Sequence, residues 1–200
     1  MIKRAFLLCF LCFALCLGGC ANKGSSSTPP NQSRVVFYFD TVVTISAYTN
    51  DSKLMDKVEK ECKRYEQLLS KTVEGSDVWN INHSEGKRVK VSEETRMLIE
   101  KAIQYSRISN GRFDITIEPC VELWDFTGEN IGVLPDADEL AKAAEKVDWS
   151  KIDINEDGVL LPQGMSIDLG AIAKGYISDR IADFMVENGV ESALLNFGGN

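Results

Sequence analysis

The sequence carries few basic residues for its length. Its 200 residues include 22 Lys and Arg against 30 Asp and Glu, which gives a formal net charge of −8 at pH 7. Proteins that bind DNA or RNA neutralise phosphates with an excess of Lys and Arg. The acidic balance therefore argues against nucleic acid as a partner. Histidine is scarcer still, since His83 is the only one in the sequence.

Cysteine is scarce outside the first twenty residues. Four of the six cysteines lie at or before residue 20, which leaves Cys62 and Cys120 for a folded domain. Two cysteines in an exported protein can form one disulfide, but they do not make a disulfide scaffold. We interpret Cys62 as a core residue on a helix face, and its pairing with Cys120 is left open.

The apolar run over residues 5–17 is too short for a stable membrane span. It follows two basic residues and ends in small residues, which is typical of a secretory signal peptide. The run closes with LGGC at residues 17–20, which resembles the lipobox of bacterial lipoproteins. We therefore predict a cleaved signal peptide over residues 1–19, a lipidated Cys20, and anchoring at the extracytoplasmic face of the cell membrane. The alternative is an ordinary secretory peptide with an incidental cysteine.

A polar segment follows the predicted lipidation site. Residues 22–33, NKGSSSTPPNQS, are rich in Ser and Pro and hold no apolar residue to bury, so residues 20–34 are interpreted as a flexible tether. Loss of the signal peptide would remove two basic residues and bring the net charge to about −10. Residues 35–200 are enough for one domain or for a large part of a bigger one.

Strands and helices are predicted to follow one another without a regular βαβ rhythm. Residues 34–49 are rich in β-branched and aromatic residues and predict two strands with a break at Asp40. Apolar residues at three-to-four spacing predict a helix from a cap at Asp51 to about Leu69. We therefore predict an α+β fold, with a mixed or antiparallel sheet and packed helices. The other predicted elements are a helix at 76–82, a strand at 87–91, a helix from Ser92 to a stop at Asn110 and Gly111, a helix at 136–147, a hairpin around 156–158, a strand at 165–167, a helix from about Ala171 to Gly189, and a strand at 192–199.

The segment MSIDLGAIAKGYISDR, residues 165–180, places acids and a lysine where a strand is predicted to meet a helix. Asp168 would end the strand, the free N–H groups of the helix would point into the same space, and Lys174 would lie one turn into the helix. This combination suggests a divalent ion or a ribose contact beside a phosphate. The alternative is an ordinary helix cap at Asp168 and a solvated charge at Lys174.

Two further clusters are candidates for ligand contact. In SNGRFDITIEPC, residues 109–120, Phe113 and Asp114 could stack on and hydrogen-bond to a planar heterocycle. The alternative is a core phenylalanine with a turn-capping aspartate. In LLNFGGN, residues 194–200, the paired glycines allow a close backbone approach to a ligand or simply form a turn. Because a domain seldom stops on such a turn, we expect the native chain to continue past Asn200.

In their order along the chain, six segments resemble the ApbE family, the FAD:protein FMN transferases, over residues 37–200. They are FDTVVTISAY, LLSKTVEGSDVWNIN, NGRFDITIEP, VELWDF, IDLGAIAKGYISDR and ALLNFGGN. The resemblance implies an ApbE-like fold and an Mg²⁺-dependent enzyme outside the cytoplasm. Such an enzyme cleaves FAD, attaches FMN through a phosphoester to a Thr or Ser hydroxyl of an acceptor protein, and releases AMP. The implied acceptors are flavoprotein subunits of membrane redox complexes.

The resemblance also assigns roles to residues of the IDLGAIAKGY segment. Asp168 matches an aspartate that contacts FAD, Ala171 matches an alanine whose carbonyl is a metal ligand, and Lys174 matches a lysine at the cofactor. Further metal ligands are expected beyond residue 200. The catalytic base is unknown, because His83 lies in a polar loop outside the matched segments.

The resemblance implies that five more residues bind the cofactor. Arg112, Phe113 and Asp114 match the segment that lines the flavin site, with Arg112 standing where a small residue is usual. Phe39, Asp40 and Thr41 fall where many members have Met-Gly-Thr, and Thr72 falls where many have an aromatic ring. Two other functions stay open, an FAD-binding lipoprotein and an Mg²⁺-dependent FAD pyrophosphatase without an acceptor; a purely structural lipoprotein is a third possibility.

Overall fold

The computed structural model describes residues 30–126 and 132–199. The predicted signal peptide and Cys20 lie outside the described residues. The first strand begins at Gln32, before the predicted start of the domain at residue 35. Within the described residues, no helix is both long and apolar enough to cross a membrane.

A three-stranded antiparallel sheet contains the first and the last strand of the described residues. Strands β1 (Gln32–Tyr38) and β2 (Thr41–Tyr48) form a hairpin, and β5 (Ser192–Phe197) pairs with the other edge of β2. The predicted break at Asp40 is confirmed, because Phe39 and Asp40 form a two-residue turn with φ values of 57° and 55°. Side chains of β2 alternate between the buried and the less buried face, so one face of the sheet covers the core.

Two long helices pack together over this sheet. Helix α1 (Leu54–Leu69) contacts β1 and α6, and α6 (Gly170–Glu187) contacts α1 and β5. The predicted stripe of α1 is confirmed, with Cys62 fully buried in it. The predicted cap at Asp51 is wrong, because a turn intervenes and the helix begins at Leu54; the Asp51 carboxylate accepts the N–H of Lys53 instead.

The other helices and strands of the described residues lie at the sides of these two helices. Their caps are local, with side chains of Ser76, Ser92 and Asp136 accepting N–H groups of the first helical turns. Asn110 and Gly111 end a helix in the left-handed conformation, as predicted. These elements are α2 (Asp77–Asn82), α3 (Glu93–Ile108), α4 (Glu118–Glu122), α5 (Ala137–Ala144), β3 (Asp153–Asn155) and β4 (Gly158–Leu160).

Two predicted strands are wrong. Residues 87–91 form only one bridge, between Val89 and Val159, because the chain leaves β4 at once for the cap of α3. Residues 165–167 join no sheet, since the backbone of Ile167 exchanges two hydrogen bonds with the Asn82 side chain, at 2.9 and 2.8 Å. The polar groups of this extended segment are therefore satisfied by a side chain in place of a strand.

The fold is α+β, as predicted, with an antiparallel sheet and packed helices. Cys62 and Cys120 are both buried and both free. Burial raises the pKa of the Cys62 thiol to about 12, so this side chain is a neutral core residue.

Candidate functional site

A cleft of about 520 Å³ opens beside the amino-terminal end of α6. Three other parts of the chain form its walls: the β1–β2 turn, the end of α1 with the loop after it, and α4 with the residues that follow. The lining includes Phe39, Asp40, Ser70, Lys71, Thr72, Glu118, Glu122, Asp125, Phe126, Asp168, Gly170 and Lys174. The cleft is thus rich in acids and holds two lysines.

Asp168 is fixed where the extended segment turns into α6. Its backbone N–H donates to the carbonyl of Ile115 at 2.8 Å, and its Oδ1 accepts the N–H of Gly170 at 2.6 Å. Gly170 leaves little room beside this carboxylate, because a Cβ on residue 170 would lie 3.0 Å from Asp168 Oδ1. Asp168 therefore orders the turn through one oxygen and presents the other to the cleft.

The second Asp168 oxygen meets a lysine that the sequence analysis did not assign. The Nζ of Lys71 lies 3.1 Å from Asp168 Oδ2 and 2.5 Å from Glu118 Oε2. Only 5% of the Glu118 side chain is exposed, against 24% for Lys71. No local pattern could reveal this pair, since Lys71 and Glu118 are 47 residues apart in the sequence and each is a single charge in its own segment.

Burial and charge act in opposite directions on this cluster. Burial raises the pKa of Glu118 to about 7, although the Lys71 ammonium acts to lower it. Burial lowers the pKa of Lys71, but the Glu118 and Asp168 carboxylates outweigh that effect, so the pKa of Lys71 is raised overall. Lys71 is therefore a fixed positive charge at neutral pH. Glu118 gains and loses its proton close to neutral pH.

Four of the predicted site residues meet at this cleft: Phe39, Thr72, Asp168 and Lys174. The N–H of Phe39 donates to Glu66 Oε1 at 3.0 Å, which fixes the β1–β2 turn beside the end of α1. Lys174 is half-buried, and within the described residues no carboxylate pairs with its ammonium. Its charge is thus available to a ligand.

Arg112, Phe113 and Asp114 are not among the residues that line the cleft. Asp114 Oδ1 accepts the N–H and the hydroxyl of Thr116, at 2.8 and 2.6 Å, and Asp114 Oδ2 accepts the N–H of Trp149 at 3.0 Å. Phe113 packs edge-on against Tyr105 and Arg112 is exposed. This is the geometry of a turn-capping aspartate beside a packed phenylalanine. A flavin contact from these three residues stays a prediction.

The remaining candidates lie outside the cleft lining. The His83 ring stacks on Trp79, with ring centres 4.0 Å apart, and its Nδ1 lies 2.8 Å from the Trp79 carbonyl oxygen. A Cβ on residue 198 would lie 2.4 Å from Thr41 Oγ1. Gly198 therefore permits close packing against the first hairpin, which is a structural use of that glycine.

The described residues do not by themselves make an Mg²⁺ site. No group of three or more His, Cys, Asp or Glu side chains in the described parts of the chain could hold a metal ion. Ala171 lies in the first turn of α6, next to Gly170 in the cleft wall, and offers a carbonyl oxygen. The nearby Asp168 carboxylate is already paired with Lys71. Mg²⁺ takes six oxygen ligands, which is more than these groups supply.

Comparison with known proteins connects this geometry to one family. The sequence profile of the ApbE family matches residues 39–200. An FAD:protein FMN transferase from Klebsiella pneumoniae is 37% identical over 164 residues, which cover 79% of this chain and 51% of that protein. Another from Treponema pallidum is 27% identical over 97% of this chain and 56% of its own length. The chain thus spans about half the length of these curated relatives.

Solved structures agree with this match. The crystal structure of the ApbE protein from Thermotoga maritima has a TM-score of 0.72 and 30% identity, over 81% of this chain and 54% of that chain. The flavin transferase ApbE from Vibrio cholerae has a TM-score of 0.75 at 21% identity, over 84% and 57%, and supports the fold alone.

Proposed function

Because the chain belongs to the ApbE family, we propose that it takes part in the transfer of FMN from FAD to a hydroxyl group of an acceptor flavoprotein. The family match over residues 39–200 is the observation that carries this proposal. In the proposed reaction the acceptor Thr or Ser oxygen attacks the FMN phosphorus of FAD. A phosphoester forms, the pyrophosphate bond breaks, the hydroxyl proton is lost to solvent or to a base, and AMP leaves.

The cleft offers space for a small-molecule ligand and two lysines that can meet phosphate groups, although its lining carries more acids than bases. Its volume of about 520 Å³ lies within the range of small-molecule sites. Lys71 and Lys174 supply positive charge. The N–H of Gly170 at the start of α6 already donates to Asp168 Oδ1, so the positive end of this helix acts on the cleft through its dipole. Phosphoryl transfer depends mainly on positioning and on neutralising charge, and these groups serve both purposes.

Mg²⁺ dependence is a finer part of the proposal. The ion would neutralise charge on the pyrophosphate when bound. From this chain, the Ala171 carbonyl is the proposed ligand. Asp168 is proposed to contact FAD itself, since its carboxylate can accept a hydrogen bond from a ribose hydroxyl.

Lipid anchoring and export are proposed from the sequence alone. The LGGC segment at residues 17–20 supports lipidation at Cys20, cleavage after residue 19, and a tether that leads into the domain. An anchored enzyme meets acceptors on the same membrane at a high effective concentration. We therefore propose subunits of membrane redox complexes as acceptors.

The direct test is covalent labelling. The purified protein is incubated with FAD, Mg²⁺ and an acceptor bearing the target threonine, and flavin fluorescence is then measured on the denatured acceptor. We expect fluorescence on this acceptor and none on its Thr→Ala version. Free FMN without labelling would contradict transfer and favour a pyrophosphatase, whereas intact bound FAD would favour a binding protein.

A further inference from the structure

Lys71 and Glu118 form a nearly buried ion pair at the wall of the cleft. The Glu118 side chain is 5% exposed, and the Lys71 ammonium lies 2.5 Å from its Oε2. A buried carboxylate is costly unless it is paired and hydrogen-bonded. The Lys71 ammonium therefore stabilises the Glu118 carboxylate, and the same contact fixes the position of the ammonium.

The Lys71 ammonium keeps one donor for the cleft. An ammonium group has three N–H donors, and two of them are directed at Glu118 Oε2 and Asp168 Oδ2. In the described part of the chain no third acceptor contacts this group. Lys71 lines the cleft and a quarter of its side chain is exposed, so a ligand can reach the remaining donor.

The charge of the lining makes this donor important. Acids outnumber bases among the lining residues, with Asp40, Glu118, Glu122, Asp125 and Asp168 against Lys71 and Lys174. An anionic ligand would be repelled wherever a carboxylate faced it directly. Lys71 contacts Glu118 and Asp168 from the segment after α1 and offsets one unit of their negative charge, and it thereby lessens the repulsion that a phosphate would meet there.

We propose that Lys71 contacts a phosphate of the bound dinucleotide, and that Glu118 is the positioning residue that holds its ammonium there. This inference deepens the proposed function and rests on it. Lys174, which has no carboxylate partner in the described residues, would be a second cation of the site, and Lys71 the one that carboxylates hold in place. A lysine that only stabilised the fold would not distinguish ligands with phosphates from ligands without them.

The test compares FAD with riboflavin, which has the same ring system and no phosphate. Dissociation constants are measured by flavin fluorescence for the purified wild type, Lys71→Met, Lys71→Arg and the control Lys63→Met, an exposed lysine on α1. For Lys71→Met we expect FAD binding to weaken about tenfold, with riboflavin binding changed less than about twofold. Lys71→Arg should retain most of the FAD affinity, and Lys63→Met should behave as wild type.

A double variant keeps the test decisive if Lys71→Met alone misfolds. Lys71→Met with Glu118→Gln removes the lysine without leaving a buried unpaired carboxylate, and it should show the same selective loss of FAD. Unchanged FAD binding, or equal losses for FAD and riboflavin, would overturn the role of Lys71 while the proposed function stood. A wild type that binds no FAD would overturn the proposed function and this role together.

Discussion

Asp114 and Asp168 occupy similar local positions and have different surroundings. Each precedes a helical turn and accepts the N–H of the residue two positions later, at 2.8 Å from Thr116 and at 2.6 Å from Gly170. The second oxygen separates them. In Asp114 it accepts the N–H of Trp149 at 3.0 Å, whereas in Asp168 it lies 3.1 Å from the Lys71 ammonium in a cleft. The second oxygen of Asp114 is thus bound within the fold, whereas that of Asp168 faces the cleft.

The two regions are also joined physically. The backbone N–H of Asp168 donates to the carbonyl of Ile115, the residue after Asp114. Asp114 caps the 3₁₀ helix Ile115–Ile117. Through the Ile115 carbonyl, this short helix holds the segment that carries Asp168. A change at Asp114 should therefore affect stability first and ligand binding only through the fold.

The largest effect is expected from Asp114→Ala. This change removes three hydrogen bonds and leaves the hydroxyl of the fully buried Thr116 without its acceptor, although that oxygen still accepts the N–H of Asp148. The free energy of unfolding should fall by about 3 kcal/mol, as measured by urea denaturation followed by tryptophan fluorescence. Asp114→Asn keeps the shape and one acceptor, and should lose about half as much. A loss below about 1 kcal/mol would mean that the carboxylate is not structural.

The next largest effect is the pH dependence of stability that Glu118, in the cluster around Asp168, should produce. The pKa of Glu118 is raised by burial from 4.5 to about 7, so between these values the folded protein holds a proton that the unfolded chain releases. The contribution of Glu118 to stability is therefore complete below pH 4.5 and is lost as pH rises through 7. We expect the free energy of unfolding of wild type to fall by about 2 kcal/mol relative to Glu118→Gln over this window.

Denaturation curves at pH 5 and pH 8 for wild type and Glu118→Gln provide the measurement. Subtracting the variant removes the titration of the other acids, which both proteins share. Equal pH dependence of the two proteins would show that Glu118 is ionised throughout, with Lys71 dominating over burial.

Asn82→Ala should destabilise the extended segment that precedes Asp168, without changing a residue that lines the cleft. It removes both hydrogen bonds to the backbone of Ile167, and we expect a loss of about 1.5 kcal/mol in the free energy of unfolding. Asn80→Ala, which removes one exposed bond to the Gly75 carbonyl, is the matched control with a smaller loss. Comparable losses for the two variants would show that Asn82 does not hold this segment.

Local patterns predicted much of the fold, because the interactions behind them are local. The cap at Ser92 and the stop at Asn110 and Gly111 each depend on hydrogen bonds or φ angles within a few residues. The strand predictions at 87–91 and 165–167 failed because a strand needs a partner, and the partners here are one bridge and an asparagine side chain.

The candidate site was only partly predictable, because some of its contacts join residues that are distant in the sequence. Asp168 and Lys174 share one segment, so their joint placement at the cleft follows from the sequence and from family resemblance. Lys71 reaches Asp168 from the end of α1, and Glu118 reaches Lys71 from α4. Only the tertiary fold brings these three charges together from separate segments, so no single segment predicts the contact.

The most direct test compares Asp168→Asn with Asp114→Asn in the transfer assay. Both changes preserve side-chain shape, and both proteins are assayed under conditions where denaturation curves show them to be folded. We expect the rate of covalent flavin attachment to fall at least about tenfold for Asp168→Asn and to stay within about threefold of wild type for Asp114→Asn. A selective loss of transfer in Asp114→Asn, with Asp168→Asn active, would contradict the assignment of the site to this cleft.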